Sequence, residues 1–161
     1  GCKGAQSAPM ALSQFGSNPG AVTFWSTVSA KYADNPLVMF ELFNEPWLQP
    51  QDFSAYYDGD ATYAGMKQMY DAIRKNTDNL IIIGGAQQYA LDAQTLLAFW
   101  IQYGLDNNGE YPSNVIFNHH PYQGAGQGLE HSVQSIMRLA LASKTVAPVI
   151  FTEFGQYCCG T

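Results

Sequence analysis

The chain has 161 residues, a formal net charge of −6 and a hydrophobic fraction of 47%, values that indicate one folded domain and exclude intrinsic disorder. No apolar run approaches the ~20 residues that span a bilayer, so we predict no membrane partner, and the acidic excess argues against a nucleic-acid partner. Charged residues are only 12% and aromatic residues 14% of the sequence, and such a surface suits an uncharged, hydroxyl-rich ligand such as a sugar chain.

The first predicted unit is a helix followed by a strand. Four apolar residues share one face at helical spacing: Phe24, Trp25, Val28 and Tyr32. The sequence Asp-Asn-Pro at residues 34–36 is expected to end this helix. Residues 37–43 read LVMFELF, a mostly apolar run that predicts a strand buried on both faces, as in a parallel sheet.

The same unit recurs three times along the chain. The later helices carry Tyr63, Met66, Tyr70 and Ile73, then Leu96, Leu97, Trp100 and Ile101 with Gly104 closing the helix, then Val133, Ile136, Met137, Ala140 and Leu141. Predicted strands follow at residues 79–83, 114–117 and 149–152. Helices and strands that alternate in this way predict one α/β domain with a parallel sheet and right-handed crossovers.

Polar residues follow each predicted strand at its carboxyl end. They are Asn44 and Glu45, residues 84–88, then Asn118, His119 and His120, and finally Glu153. Parallel strands bring these ends to one edge of the sheet, where α/β folds build their active sites. Glu45 and Glu153 are therefore expected to face one cleft.

A pair of carboxyl groups in one cleft is what glycoside hydrolysis requires. One acid donates a proton to the leaving oxygen, while the other, ionised, attacks or stabilises the anomeric carbon. Retaining enzymes hold the two groups ~5 to 5.5 Å apart and inverting enzymes ~6.5 to 9.5 Å apart. Spacing along the sequence does not choose between these two outcomes.

Three motifs resemble those of glycoside hydrolase family 5. Residues 40–46, FELFNEP, are similar to the fourth-strand signature of clan A retaining glycoside hydrolases, and residues 149–155, VIFTEFG, resemble the family's seventh-strand nucleophile segment. Between them, residues 120–122, HPY, match its sixth-strand His-x-Tyr. The motifs occur in the family's order, and cellulases are the members that the chain resembles most.

The resemblance implies a role for each matching residue. Glu45 is expected to be the general acid/base and Glu153 the nucleophile. Asn44 is expected to hydrogen-bond the sugar 2-hydroxyl, a contact that strengthens in the transition state. His120 and Tyr122 are expected to border the site, with the Tyr122 hydroxyl hydrogen-bonded to the ionised Glu153.

Other polar and aromatic residues have competing interpretations. Trp47, Tyr89 and Tyr157 follow strands in loops, where they either stack on sugar rings or pack as a lid, and we take Trp47 as a candidate substrate-binding residue. Glu41 lies deeper in its strand and is expected to be a buried, paired structural carboxylate. The spacing of His119, His120 and His131 fits no common zinc ligand pattern, so we expect no metal and no cofactor.

The three cysteines lie at the two ends of the chain: Cys2, Cys158 and Cys159. None falls in the paired spacing of a zinc or redox motif. A disulfide between Cys2 and one of the neighbouring pair is expected if the protein is exported, and reduced cysteines without consequence are the alternative. The chain carries no signal-peptide pattern, so secretion, which we expect, would depend on a signal outside it.

The number of predicted units is the main departure from the family. A barrel of this kind has eight strands and ~250 residues. The resemblance covers strands 4 to 7. We therefore expect a partial (β/α)8 barrel and a single truncated catalytic domain over residues 1–161. Missing with the other strands are the strand-2 Arg, strand-3 His and strand-8 Trp that the family uses around the scissile bond. The open edge strands predict a homodimer or higher homo-oligomer.

The resemblance implies retaining cleavage of β-1,4-glucosidic bonds in cellulose or cello-oligosaccharides, by double displacement with two glutamates. The alternative is a remnant that binds carbohydrate with little or no catalysis, because loss of positioning groups costs orders of magnitude in rate. The sequence leaves glucan against mannan specificity open.

Overall fold

The computed structural model describes residues 20–46, 53–61, 63–86, 93–123, 138, 141 and 146–156. The helices are α1 (Ala21–Lys31), α2 (Phe53–Tyr57), α3 (Met66–Arg74) and α4 (Ala93–Asp106). The strands are β1 (Phe40–Glu41), β2 (Ile81–Gly84), β3 (Val115–Asn118), β4 (Tyr122–Gln123), β5 (Val149–Ile150) and β6 (Gly155–Gln156). Outside the described part lie Cys2, Trp47, Tyr89, His131, Tyr157, Cys158, Cys159 and the side chain of Tyr122.

Four strands form a parallel sheet in the order β1-β2-β3-β5. Phe40 pairs with Ile81, which pairs with Val115 on its other side. Phe117 then pairs with Val149. The predicted parallel sheet is confirmed, and all four strands end at the same edge. A second, two-stranded parallel sheet joins β4 to β6.

The core lies between the sheet and the helices. β2 is a run of isoleucines, and Ile81 and Ile83 are fully buried, as expected of a β-branched strand covered on both faces. In α3, Met66, Met69 and Ile73 recur at helical spacing and are also fully buried. Among the described residues, no helix is long and apolar enough to cross a membrane.

Two predicted strands are shorter in the structure. Leu37 is 88% exposed and Met39 is 48% exposed, so the start of the predicted first strand is not buried. A turn at Asn35 explains this, since its backbone oxygen and side-chain oxygen accept the N–H groups of Val38 and Leu37. The last strand of the sheet ends at Ile150 and not at the predicted residue 152.

Helix boundaries also differ from the prediction. Gly104 does not close its helix but lies within α4, where a Cβ atom would come 2.6 Å from the Tyr111 ring. The glycine therefore serves close packing against Tyr111, which stacks on Trp100 at a centroid distance of 5.4 Å. Tyr63 precedes α3 and is not part of it. Of the fourth predicted helix, Val133, Ile136, Met137 and Ala140 lie outside the described part, and Leu141, expected on its apolar face, is 72% exposed.

The short helix α2 was not predicted. It consists of five residues, and its Tyr56 and Tyr57 are almost completely buried. The phenolic hydroxyl of Tyr57 donates to Asp106 at the end of α4, at 2.8 Å. Burial and the neighbouring carboxylate raise the pKa of Tyr57, so the phenol stays neutral and holds α2 against α4.

At the amino edge of the sheet, one side chain binds the turns that enter two strands. The guanidinium of Arg74 donates to the backbone oxygens of Thr77 and Asn79, which precede β2, at 3.0 and 2.8 Å. It also donates to the backbone oxygens of Ser113 and Asn114, which precede β3, at 2.7 and 3.1 Å. Arg74 thus fixes α3 to the starts of two neighbouring strands.

Candidate active site

Two hydrogen bonds from helices fix the carboxyl edge of the sheet. The Trp25 indole N–H in α1 donates to the backbone oxygen of Leu42, just beyond β1, at 3.1 Å. The Tyr56 hydroxyl in α2 donates to the backbone oxygen of Gly84, the last residue of β2, at 2.8 Å. The segment that leads from β1 to Glu45 is thereby held by α1 as well as by its pairing with β2.

Glu45, His120 and Glu153 meet at this edge. Nδ1 of His120 lies 2.9 Å from Oε1 of Glu45 and 3.8 Å from Oε2 of Glu153. One ligand-type atom from each residue lies within 4.8 Å of the others. We call these three residues the carboxylate–histidine cluster. The structure brings the two glutamates together as expected, and His120, which was expected to border the site, lies between them.

The other nitrogen of the His120 ring faces a second set of polar groups. Nε2 lies 3.0 Å from the Thr152 hydroxyl and 2.9 Å from the amide nitrogen of Asn118. Both Asn118 and Thr152 donate to Oε1 of Glu41, Thr152 at 3.2 Å. The backbone N–H of Thr152 donates to the Asn118 side-chain oxygen at 3.2 Å. The histidine ring is therefore held from both sides.

Asn118 and Thr152 were not predicted as site residues. Asn118 was noted only as a polar strand end, and Thr152 only as the end of an apolar strand. Their meeting depends on the register of β3 on β5, in which Asn118 pairs with Ile150. The available signal was their position, since Asn118 precedes the two histidines and Thr152 directly precedes Glu153.

The carboxyl groups around His120 and the burial of its ring determine the pKa of the imidazole. Burial of the ring lowers its pKa, but the hydrogen-bonding carboxylates of Glu41 and Glu45 and the charge of Glu153 outweigh that effect and raise the pKa to about 9. Of the two hydrogen-bonding carboxylates, Glu41 is the more distant, because its Oε1 lies 3.8 Å from Nε2 whereas Oε1 of Glu45 lies 2.9 Å from Nδ1. At neutral pH the imidazole is a cation that donates from Nδ1 to Glu45.

Glu45 is the most buried carboxylate of the site, with 3% of its surface exposed. Its Oε1 faces His120, whereas its Oε2 is buried and has no hydrogen-bond partner among the described residues. A buried polar atom without a partner is uncommon and costs free energy. This oxygen therefore keeps its capacity to hold a proton or accept a hydrogen bond unused by the described residues.

The remaining predicted site residues differ in position. Asn44, next to Glu45, is exposed. Glu41 is paired as expected but not buried, since its side chain is 30% exposed. Tyr122 begins β4, which pairs with β6 just after Glu153, and its side chain and Trp47 lie outside the described part. His119 is fully buried with its ring 6.1 Å from that of Phe151.

Comparison with known proteins relates the chain to cellulases. The family model described as Cellulase (glycosyl hydrolase family 5) matches residues 6–159. The crystal structure of the catalytic domain of Thermobifida fusca endoglucanase Cel5A is similar with a TM-score of 0.55 at 20% sequence identity, over 84% of this chain and 39% of that chain. No curated protein sequence matches the chain.

The structural likeness bears on the fold alone at this level of identity. Four parallel strands with their helices match part of a (β/α)8 barrel, and the matched part is 39% of the endoglucanase chain. The prediction of a partial barrel is confirmed.

Proposed function

We propose that this chain, which belongs to glycosyl hydrolase family 5, hydrolyses β-1,4-glucosidic bonds of cellulose or cello-oligosaccharides. The reaction retains the configuration of the anomeric carbon. In this proposal Glu153 is the nucleophile and Glu45 the general acid/base. The chain spans 39% of the endoglucanase chain that it resembles, so the activity of the whole enzyme is part of what is proposed.

One observation carries the proposal. A carboxylate oxygen of Glu45 and one of Glu153 lie within 4.8 Å of each other. That separation supports a retaining site, with its carboxyl groups ~5 to 5.5 Å apart, over an inverting site at ~6.5 to 9.5 Å. The unequal exposure of the two residues supports the division of roles, because the 39% exposed side chain of Glu153 is open to an incoming sugar while Glu45 is buried.

The reaction proceeds in two steps. In the first, a carboxylate oxygen of Glu153 bonds to the anomeric carbon and the glycosidic C–O bond breaks. Glu45, protonated on Oε2 while Oε1 accepts the hydrogen bond from His120, gives that proton to the leaving oxygen. In the second, Glu45 takes a proton from a water molecule, whose oxygen bonds to the anomeric carbon and displaces Glu153. The protonated His120 stabilises the negative charge that moves between the two carboxyl groups during these steps.

The other candidate residues bind the substrate in this proposal. The exposed Asn44 side chain hydrogen-bonds the sugar 2-hydroxyl, Tyr122 hydrogen-bonds Glu153, and Trp47 stacks on a neighbouring sugar ring.

We also propose a secreted protein that assembles as a homodimer or larger homo-oligomer. Among the described residues, β1 and β5 are the edge strands of the four-stranded sheet, and Phe154 nearby is 78% exposed. Light scattering coupled to size-exclusion chromatography tests this, and a stable monomer at micromolar concentration contradicts it.

The proposed roles of the two glutamates are tested with azide as an external nucleophile. Glu153→Ala and Glu45→Ala are each assayed on an aryl cellobioside, and both are expected to lose turnover by at least about 10³-fold. Azide then restores cleavage in each variant but gives different products. With Glu153→Ala it attacks from the vacated face and yields the α-glycosyl azide, whereas with Glu45→Ala it attacks the glycosyl-enzyme and yields the β-glycosyl azide.

Proton NMR of the products distinguishes the two anomers. The matched control is Glu110→Ala, which removes an exposed carboxylate remote from the site and leaves turnover unchanged. Full activity in either glutamate variant, or exchanged azide products, contradicts the assignment. Absence of turnover in the unaltered chain supports the alternative, a carbohydrate-binding protein, if titration calorimetry with cellotetraose still shows binding.

A further inference from the structure

We propose that Glu45, His120 and Glu153 also form a binding site for a single zinc ion, which occupies the place of the proton on Nδ1 of His120. The histidine spacing along the sequence predicted no metal ligands. The cluster instead joins one histidine to carboxylates that follow two other strands. Its three ligand atoms, within 4.8 Å of one another, meet only through the parallel arrangement of those strands.

The distances in the cluster suit a tetrahedral ion. Zinc bonds nitrogen and carboxylate oxygen at about 2.0 to 2.2 Å, which places neighbouring ligands of a tetrahedron about 3.4 Å apart. His120 Nδ1 lies 2.9 Å from the Glu45 oxygen and 3.8 Å from the Glu153 oxygen. These two distances must change by about 0.5 Å to reach that value, and the two carboxylate oxygens, which lie within 4.8 Å of each other, must approach by up to about 1.4 Å. Rotation of the partly exposed Glu153 side chain can supply this movement.

The His120 ring is already oriented for a metal on Nδ1. Metal-bound histidines almost always donate their second ring N–H to an oxygen atom, which fixes the ring and its tautomer. Here Nε2 lies 3.0 Å from the Thr152 hydroxyl, which in turn donates to Glu41 at 3.2 Å. Thr152 and Glu41 therefore supply the outer contacts of such a site, and Nδ1 is left to face the two carboxylates.

The buried oxygen of Glu45 is an independent observation that points to a ligand. Oε2 is buried without a hydrogen-bond partner among the described residues, in a carboxylate that is 3% exposed. A cation bound to this carboxylate compensates the free-energy cost of removing the charged group from water. The side chain of Glu153, at 39% exposure, provides the route by which the ion enters and a fourth position open to water.

The ligand types select the ion. An imidazole nitrogen with two carboxylates is a donor set that zinc accepts readily. Magnesium and calcium require six or more oxygen ligands in larger coordination shells. We therefore expect zinc to bind and these two ions to bind far more weakly.

Zinc at this position inhibits the activity proposed above, and this part of the inference rests on that function. A Glu153 oxygen bonded to the metal no longer attacks the anomeric carbon. A Glu45 carboxylate bonded to the metal no longer transfers a proton. A chelator that removes the ion restores both functions, so inhibition is reversible.

The binding test is calorimetric titration of zinc chloride into the metal-free chain. Since cysteine thiolates bind zinc strongly, the parent protein carries Cys2→Ser, Cys158→Ser and Cys159→Ser. We expect one zinc per chain, and we expect Glu153→Gln to weaken binding at least about tenfold. Glu110→Gln removes an exposed carboxylate and is expected to leave the dissociation constant unchanged.

Circular dichroism of each variant establishes that it is folded. Absence of saturable one-to-one binding in the parent, or equal affinity in the parent and folded Glu153→Gln, overturns the zinc site. A second measurement keeps the inference separate from the proposed function. Zinc binding by a chain without glycosidase turnover contradicts only the function, whereas turnover that persists at saturating zinc overturns the placement of the ion at Glu45 and Glu153.

Discussion

The two edges of the parallel sheet hold their polar groups in opposite ways. At the amino edge, Arg74 donates to four backbone oxygens at 2.7 to 3.1 Å. At the carboxyl edge, three carboxylates, those of Glu41, Glu45 and Glu153, surround the single imidazole of His120. At one edge a cation faces neutral backbone acceptors, and at the other edge three carboxyl groups face one imidazole.

The amino edge contributes stability that does not depend on pH, whereas the carboxyl edge holds groups whose protonation changes with pH. Backbone oxygens do not change charge with pH, so the contacts of Arg74 contribute constantly to folding. Further amide contacts at that edge join α3 to α1, such as the one from Asn76 to the Ser29 hydroxyl at 2.9 Å. At the carboxyl edge the three carboxyl groups and the imidazole titrate, and one oxygen of Glu45 has no partner among the described residues. The unpartnered oxygen lowers the stability that this edge contributes, as is common where α/β folds place functional groups.

Replacing Arg74 is expected to give the largest change in stability. Arg74→Ala removes hydrogen bonds to four backbone oxygens before β2 and β3, so we expect the free energy of unfolding to fall by about 3 kcal/mol. Urea unfolding followed by circular dichroism measures this loss. Because these contacts lie at the edge opposite the site, kcat per folded molecule is expected to stay the same.

The matched control for this variant is its neighbour in sequence. Lys75 is exposed at the end of α3, and Lys75→Ala removes the same charge without those contacts. We expect it to change stability by no more than about 0.5 kcal/mol. Equal effects of the two variants would show that charge alone, and not the contacts with the strand entrances, explains the role of Arg74.

The pH dependence of stability sharpens the contrast between the edges. The pKa of His120 is 6.5 in the unfolded chain and is raised to about 9 in the folded one. The protonated ring therefore stabilises the fold fully below pH 6.5, and this stabilisation is lost as pH rises through 9. The shift sets an upper limit of about 3 kcal/mol on the loss.

Urea unfolding between pH 6 and 9.5, with EDTA present to remove cations, measures this dependence. His120→Gln cannot titrate and is expected to show a flatter profile, which also corrects for all other groups. Arg74→Ala is expected to keep the slope of the unaltered chain, because its contacts do not titrate. A profile for His120→Gln as steep as that of the unaltered chain would refute the role assigned to the imidazolium.

Thr152 is expected to give the smallest of these effects. Its hydroxyl contacts His120 Nε2 and donates to Glu41, so it acts on the reaction only by positioning the ring. Thr152→Val keeps the shape of the side chain, removes the hydroxyl, and is expected to lower kcat about tenfold. The alkaline limb of the pH profile of kcat is also expected to move, which loss of packing alone does not cause.

Rescue by serine separates positioning from packing. Thr152→Ser retains the hydroxyl and loses only a methyl group, so both kcat and the pH profile are expected to return close to those of the unaltered chain. If Thr152→Ser is as impaired as Thr152→Val, the hydroxyl alone does not restore the site, and the role assigned to the hydrogen bond as the sole contribution of Thr152 is contradicted.

The sequence predicted the order of elements better than their limits. Apolar runs and helical spacing were enough to place the first three helix–strand units and the strand of the fourth, because each of these elements buries an apolar face. Strand ends depend on pairing partners, so the exposure of Leu37 and the turn at Asn35 could not be read locally. Gly104 was misread for a similar reason, since only the approach of Tyr111 from beyond the helix explains it.

The candidate site shows the same limit. Glu45 and Glu153 could be placed at one edge because parallel strands share direction, and that direction follows from the alternation of helices and strands. The central place of His120 and its contacts with Asn118 and Thr152 depend on strand register to within one residue. No local pattern specifies that register between strands separated by about thirty residues. The roles of these residues in catalysis stay predictions.

The hydrogen bond from Trp25 to the backbone of Leu42 makes the site visible to spectroscopy. Indole fluorescence shifts in wavelength when its N–H exchanges a protein acceptor for water, and Leu42 lies three residues before Glu45. In a variant in which Trp47 and Trp100 are replaced by Phe, the emission of Trp25 therefore reports on the segment that carries Glu45. Opening of that segment can be followed in time without attaching a label to the protein.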